Sequence, residues 1–227
     1  MTTAAKTLVS RLASAAATTT ASRPHLSLRP VSTAFLCCDM QERFRAHIWN
    51  YPHIITTAQK MLDASAILSV PFIVCEQNPT ALGHTVSEID TTRATTVIAK
   101  TKFSMLVPEV LAQLQSKLSP YEEDRAAVLF GIESHVCVLQ TALDLIDNGF
   151  RVVVLADGVS SMNRGEVQIA LARLTAAGAT VATSESILFQ LLGDASDARF
   201  KEFAKLTKKY QPATNAALDA LVNNVKL

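Results

Sequence analysis

The chain lacks most of the marks by which a reactive site announces itself. It has no G-x-G-x-x-G fingerprint, no phosphate-binding P-loop and no G-x-S-x-G elbow. Its four cysteines, Cys37, Cys38, Cys75 and Cys137, include no CxxC pair. That spacing serves neither zinc ligation nor a disulfide framework, and it suits mostly buried thiols in a reducing compartment. No uninterrupted apolar run approaches membrane-spanning length, so no membrane partner is expected. Acid is missing from the first 38 residues, which carry Lys6, Arg11, Arg23 and Arg29. Setting those four aside from the 21 basic residues leaves 17 against 20 acidic ones. The remainder is therefore mildly acidic and offers no basic stripe to a phosphate backbone, so no nucleic acid partner is expected.

Residues 1–23 are rich in Ala, Ser and Thr, basic and acid-free. This matches the composition of a mitochondrial transit peptide, and it is equally that of a disordered tail. Location is accordingly read as mitochondrial or cytoplasmic. The expected division is a tail or targeting segment over 1–30, one catalytic-type domain over 31–209, and a C-terminal tail over 210–227.

The body of the chain alternates apolar runs with amphipathic segments. That pattern predicts an α/β fold: a three-layer α-β-α, Rossmann-like arrangement around a mainly parallel six-stranded sheet. Strands are predicted at 32–38, 71–75, 96–99, 126–131, 151–156 and 179–183. Helices are predicted at 53–69, 106–117, 135–148, 163–177, 185–192 and near 197–209. Gly149 and Gly178 sit where helix C-terminal stops belong. Residues 211–227 read as a weak amphipathic segment after Pro212, with no evident role.

The most pointed stretch runs from Gly131 through Ile132, Glu133, Ser134, His135 and Val136 to Cys137. It lies where an apolar strand pattern gives way to a helical one. A cysteine there faces unpaired amides and the positive end of a helix, which favour negative charge. In open parallel sheets, ligands bind beyond the carboxyl ends of the strands. Asp39, Glu76-Gln77, Lys100 and the Glu133–Cys137 segment all fall at such ends. Each also has a plain reading: a turn-forming Asp, a solvated Lys, a small core Cys. Their joint placement suggests a nucleophile, a base and a cation on one rim.

These residues, with Phe35–Phe44, Leu82-Gly83, Ala99–Met105, Thr141–Leu145, Ala156–Ser161 and Thr183–Glu185, resemble the isochorismatase-like cysteine hydrolases. The likeness spans about residues 31–209 and is greatest to the branch called isochorismatase domain-containing protein 2. It implies an Asp39, Lys100 and Cys137 triad. Phe103, matching the family's aromatic, selects Lys100. In an extended segment, however, Lys100 and Lys102 share a face, so sequence does not separate them. The implied reaction is cleavage of a small amide, ureido or related C–N bond through a thioester, with no cofactor and no metal. Asp39 exchanges a proton with Cys137, Lys100 supplies positive charge, and the backbone N–H groups of Val136 and Cys137 form an oxyanion hole. A cis peptide at Ile132–Glu133 is implied as well. Gln77 through its amide, Phe44, Phe103 and Glu133 are the expected substrate contacts. The partners implied are a small-molecule substrate and further copies of the chain. A non-catalytic mitochondrial interaction protein on the same scaffold is the alternative. His84 stands alone where metal-dependent relatives carry an Asp/His cluster. His135 reads as a helix-start side chain pointing to solvent, Asp157 as a turn former or a residue at the pocket edge, and Ser160-Ser161 as a loop and helix cap rather than a nucleophile.

Overall fold

The computed structural model describes residues 28–120 and 125–223. Most of the 1–30 segment therefore lies outside the described residues. Six strands form one sheet in the order β3-β2-β1-β4-β5-β6, with every neighbouring pair parallel. They are β1 (Thr33–Cys38), β2 (Phe72–Gln77), β3 (Thr96–Lys100), β4 (Ala126–Gly131), β5 (Arg151–Val159) and β6 (Thr180–Ala182). The longer helices are α1 (Tyr51–Leu68), α2 (Pro108–Lys117), α3 (Leu139–Asp147), α4 (Arg164–Ala176), α5 (Ser184–Leu192) and α6 (Phe200–Leu218), and Pro79–Leu82 forms a single helical turn after β2. The predicted six-stranded α/β three-layer fold is what forms.

β1 and β4 are buried along their whole length, as central strands of a parallel sheet should be. Their side chains divide by the two-residue period of a strand. Phe35 and Cys37 join Val128 and Phe130 under α1, α5 and α6. Ala34, Leu36 and Cys38 join Ala127 and Leu129 under α2, α3 and α4. Cys37 and Cys38 thus face opposite layers, as their adjacency predicted. Gly149 and Gly178 take positive φ after α3 and α4, the geometry that closes short helix-to-strand turns.

The C-terminal expectation requires correction. Residue 209 is no boundary: α6 runs unbroken from Phe200 to Leu218 with Pro212 inside it, and a π-helical turn continues over Asp219–Asn223. Phe203, Leu206, Tyr210, Thr214 and Ala217 are its buried side chains. Lys60 in α1 donates to Thr214 Oγ1 at 2.9 Å, and Asp63 accepts from Lys209 and Tyr210. Burial of one stripe against α1 therefore outweighs the backbone bond that Pro212 cannot make.

Chain order reverses at β1, whose neighbours are β2 and β4. The carboxyl ends of these strands open the crevice where parallel sheets bind ligands. Gly131 fixes the closeness of that junction. Its φ is 116°, and a Cβ there would lie 2.1 Å from the Cys38 carbonyl oxygen. Ile132 N–H donates to the same oxygen at 2.9 Å.

Candidate active site

Asp39 follows the last residue of β1 in a left-handed conformation (φ 52°), its N–H bonded to Cys75 O at 3.1 Å. Lys100 is the last residue of β3. Its ammonium is buried and donates to Asp39 Oδ2 at 2.8 Å, Gln77 Oε1 at 2.8 Å and the Phe103 carbonyl at 3.0 Å. Three acceptors use all three N–H bonds of a lysine. The segment after β3 folds back rather than staying extended, and this separates the two lysines. Lys102 reaches the half-exposed Asp144 at 2.6 Å, away from Asp39.

Cys137 sits in a π-helical turn, Ser134–Val138, between β4 and α3. The preceding Ile132–Glu133 peptide is cis. Cys137 is 8% exposed and lines a cavity of about 360 Å³ with Asp39, Phe44, Gln77, Asn78, Ala81, Leu82, Phe103, Ile132, Glu133 and Val136. Asp39, Gln77, Glu133 and Cys137 from the strand ends are therefore brought together, with Lys100 behind Asp39, while Glu76 turns to His84 and Thr85. Other cavities are of similar size, but the chemically active side chains meet in this one.

Burial pushes the Asp39 carboxyl above the usual carboxylate range, against the opposing pull of Lys100 and the Cys137 and Cys38 thiols. Asp39 Oδ1 is buried and lacks a hydrogen-bond partner. Lys100 moves up: burial alone would lower it, but the negative charge available at Cys38, Asp39 and Cys137 outweighs that. The remaining thiols are held protonated. Burial raises Cys37 and Cys38, each reinforced by Asp39, and Cys75 is pushed up to about 12.

One expected contact is corrected. The Val136 N–H donates to the Glu133 carbonyl at 3.0 Å, so it is committed inside the turn and is not an open oxyanion donor. Gln77 lines the cavity and also braces Lys100: its Oε1 accepts from Lys100 and its Nε2 donates to Thr101 O at 2.8 Å, one of the two N–H bonds of the amide. Phe44 and Phe103 stand in the wall as expected, and Phe103 is 53% exposed.

Sequence reasoning missed Gln41. It is fully buried, donates to Gln77 O and Gly83 O, and accepts from Gln77 N–H. It ties the end of β2 to the Pro79–Leu82 turn. A polar residue two places past Asp39 was the available signal. Cys38 was also missed as a neighbour of the site; its thiol lies 3.6 Å from Asp39 Oδ2.

His135 turns inward rather than to solvent, and Ser160 and Ser161 bond within the core instead of capping a helix. His135 Nδ1 is 2.9 Å from Ser161 Oγ, which also bonds Ser134. Ser160 donates to Trp49 O. Asp157 is fully buried and accepts from Ser184 N–H at 2.8 Å. His84 is exposed and pairs with Glu76 at 2.9 Å. Among the described residues there is no group of three or more His, Cys, Asp or Glu that could hold a metal ion. No described helix is long and apolar enough to cross a membrane.

Residues 33–186 match the isochorismatase domain, a span that contains every residue of this site. The chain belongs to the isochorismatase-domain family. It is 46% identical to isochorismatase domain-containing protein 1 of Salmo salar over 186 residues, which are 82% of this chain and 64% of that relative. It thus spans less than two thirds of that relative's length. Isochorismatase domain-containing protein 2 of Homo sapiens is 42% identical over 199 residues, covering 87% of this chain and 93% of the relative. The solved structure of MAR1 ribonuclease from Caenorhabditis elegans superposes with a TM-score of 0.76 at 39% identity. That match covers 88% of this chain and 99% of the other.

Proposed function

We propose that the protein is a cysteine hydrolase acting on a C–N bond of a small amide or ureido compound. The observation that carries this reading is that Asp39, paired with the buried Lys100, lines one cavity with Cys137. Asp39 takes the thiol proton as Cys137 Sγ bonds to the substrate carbonyl carbon. The tetrahedral intermediate collapses, the C–N bond breaks, and Asp39 returns that proton to the departing nitrogen. Water then attacks the thioester, giving a proton to Asp39; the C–S bond breaks, the acid leaves, and Asp39 returns the proton to the Cys137 sulfur. A carboxyl raised above its ordinary range suits a group that must both take and give a proton. Lys100, its donors already used, holds Asp39 in place and keeps it ionised between turnovers. The Cys137 N–H, without Val136, is the proposed oxyanion donor.

The test is thiol reactivity. Iodoacetamide labelling with peptide mapping is expected to modify Cys137 first, because the other three thiols are buried and held protonated. If Cys137 is no faster than Cys37, Cys38 and Cys75, the nucleophile reading fails. Hydrolysis surviving in Cys137→Ala defeats it as well.

A ribonuclease reading is favoured by the name of the Caenorhabditis elegans structure. Against it stands the cavity wall, whose described residues include no cation to meet a phosphate. Incubation with single-stranded RNA is expected to leave it intact; cleavage that disappears in Cys137→Ala would favour the ribonuclease.

Self-assembly is proposed from exposed apolar side chains, among them Val31, Ile169 and Phe103. Light scattering showing a monomer at tens of micromolar would remove it. Mitochondrial import is a separate proposal, tested by where residues 1–30 carry a fluorescent fusion.

A further inference from the structure

Among the described residues, no lysine, arginine or histidine lines the cavity around Cys137. The nearest ammonium, Lys100, has each of its donors engaged. Two carboxylates stand in the wall, and they differ. Asp39 is paired with Lys100. Glu133 has no ion-pair partner among the described residues. Its Oε2 accepts from Met162 N–H at 2.8 Å, and its Oε1 has no partner among those residues. Most other wall positions are apolar, including Phe44, Leu82 and Phe103. An entering molecule meets one uncompensated negative charge and a free acceptor, with no positive group to greet an anion. In a cavity partly screened from water, such a charge acts more strongly than it would in bulk solvent.

We propose that Glu133 makes this site selective for neutral or cationic substrates that carry an N–H donor, and that it turns away carboxylates and phosphate esters. The inference rests on the reading of Cys137 as the nucleophile and adds the substrate class. Glu133 acts by contact on one class and by repulsion on the other, as specificity generally requires. An amide or ureide nitrogen, or an ammonium beside it, satisfies Oε1. A carboxylate in its place leaves two like charges together.

The experiment uses probes that report at Cys137 itself. The full-length protein is treated with a cationic ammonium-ethyl methanethiosulfonate, its anionic sulfonato-ethyl counterpart, and neutral iodoacetamide. Modification of Cys137 is followed by peptide mapping, and each rate is divided by that with 2-mercaptoethanol. The cationic reagent is expected to be favoured over the anionic one by about tenfold or more, the size of one moderate charge contact. The preference should shrink in 1 M salt. In Glu133→Gln, which keeps the bond to Met162 N–H, the ratio should fall towards one. An anionic reagent as fast as the cationic one in the native protein overturns the proposal, as does an unchanged ratio in a folded Glu133→Gln. The two readings separate cleanly. Iodoacetamide that fails to single out Cys137 defeats the nucleophile and this inference with it. Rapid iodoacetamide labelling without charge preference defeats only the selectivity.

Discussion

Replacing Lys100 by methionine removes the one charge that compensates a buried carboxylate. The Lys100 and Asp39 side chains are 0% and 2% exposed. Breaking a buried pair on one side leaves an uncompensated charge, which costs about 3–5 kcal/mol. Three acceptors, Asp39 Oδ2, Gln77 Oε1 and the Phe103 carbonyl, lose their donor together. For a domain of this size each kcal/mol moves Tm by roughly 2–4 °C, so the loss should reach about 6–20 °C near pH 8. The loss should depend on pH in a definite sense. Asp39 already has its pKa raised in the folded protein, and losing Lys100 raises it further. A carboxyl whose folded pKa exceeds its unfolded value binds more protons when folded. Stability then falls as pH rises from the unfolded value, ~4, to the folded one, and it is retained below that window. Lys100→Met should therefore be penalised more at pH 8 than at pH 5. Adding Asp39→Asn should restore much of the loss, because no buried charge remains. Urea and thermal unfolding at both pH values read this directly. Lys102→Met supplies the contrast: its pair is solvent-exposed, and such pairs contribute about 0.2–1 kcal/mol. A Lys100→Met loss that is small, independent of pH or matched by Lys102→Met would refute the account.

Three further outcomes follow from the geometry. Gly131→Ala places a Cβ 2.1 Å from the Cys38 carbonyl at a positive φ, and a urea midpoint close to wild type would contradict that packing. Gln41→Ala strips partners from Gln77 and Gly83, each unsatisfied buried group costing about 1–3 kcal/mol; slower Cys137 labelling should accompany the lost stability. Ending the chain after Lys209 uncovers the α1 surface that Tyr210, Thr214 and Ala217 bury, and is expected to give insoluble or molten protein by circular dichroism. A soluble truncated form with native unfolding behaviour would show that α6 beyond Lys209 is dispensable.

What was readable from residues alone followed from repeating local physics. Continuous apolar runs marked the buried strands of a parallel sheet. Periodic segments between them marked the covering helices, and two glycines marked the turns. Because such sheets bind ligands at strand ends, Asp39, Lys100 and Cys137 could be nominated from their offsets. The segment after Pro212 is only weakly amphipathic, and its continuation as α6 rests on the α1 surface it covers, which local sequence does not display.

The sequence by itself determined the fold class and the shortlist of reactive residues, because these depend on periodicity and on position along a strand. Only tertiary structure decided between Lys100 and Lys102, since the choice turns on how the chain folds back after β3. It alone committed the Val136 N–H to Glu133 and Gln77 Oε1 to Lys100, and it alone exposed Gln41 as a brace of Gln77. Hydrogen-bond partners are set by which groups meet across strands, and spacing along the chain does not carry that information.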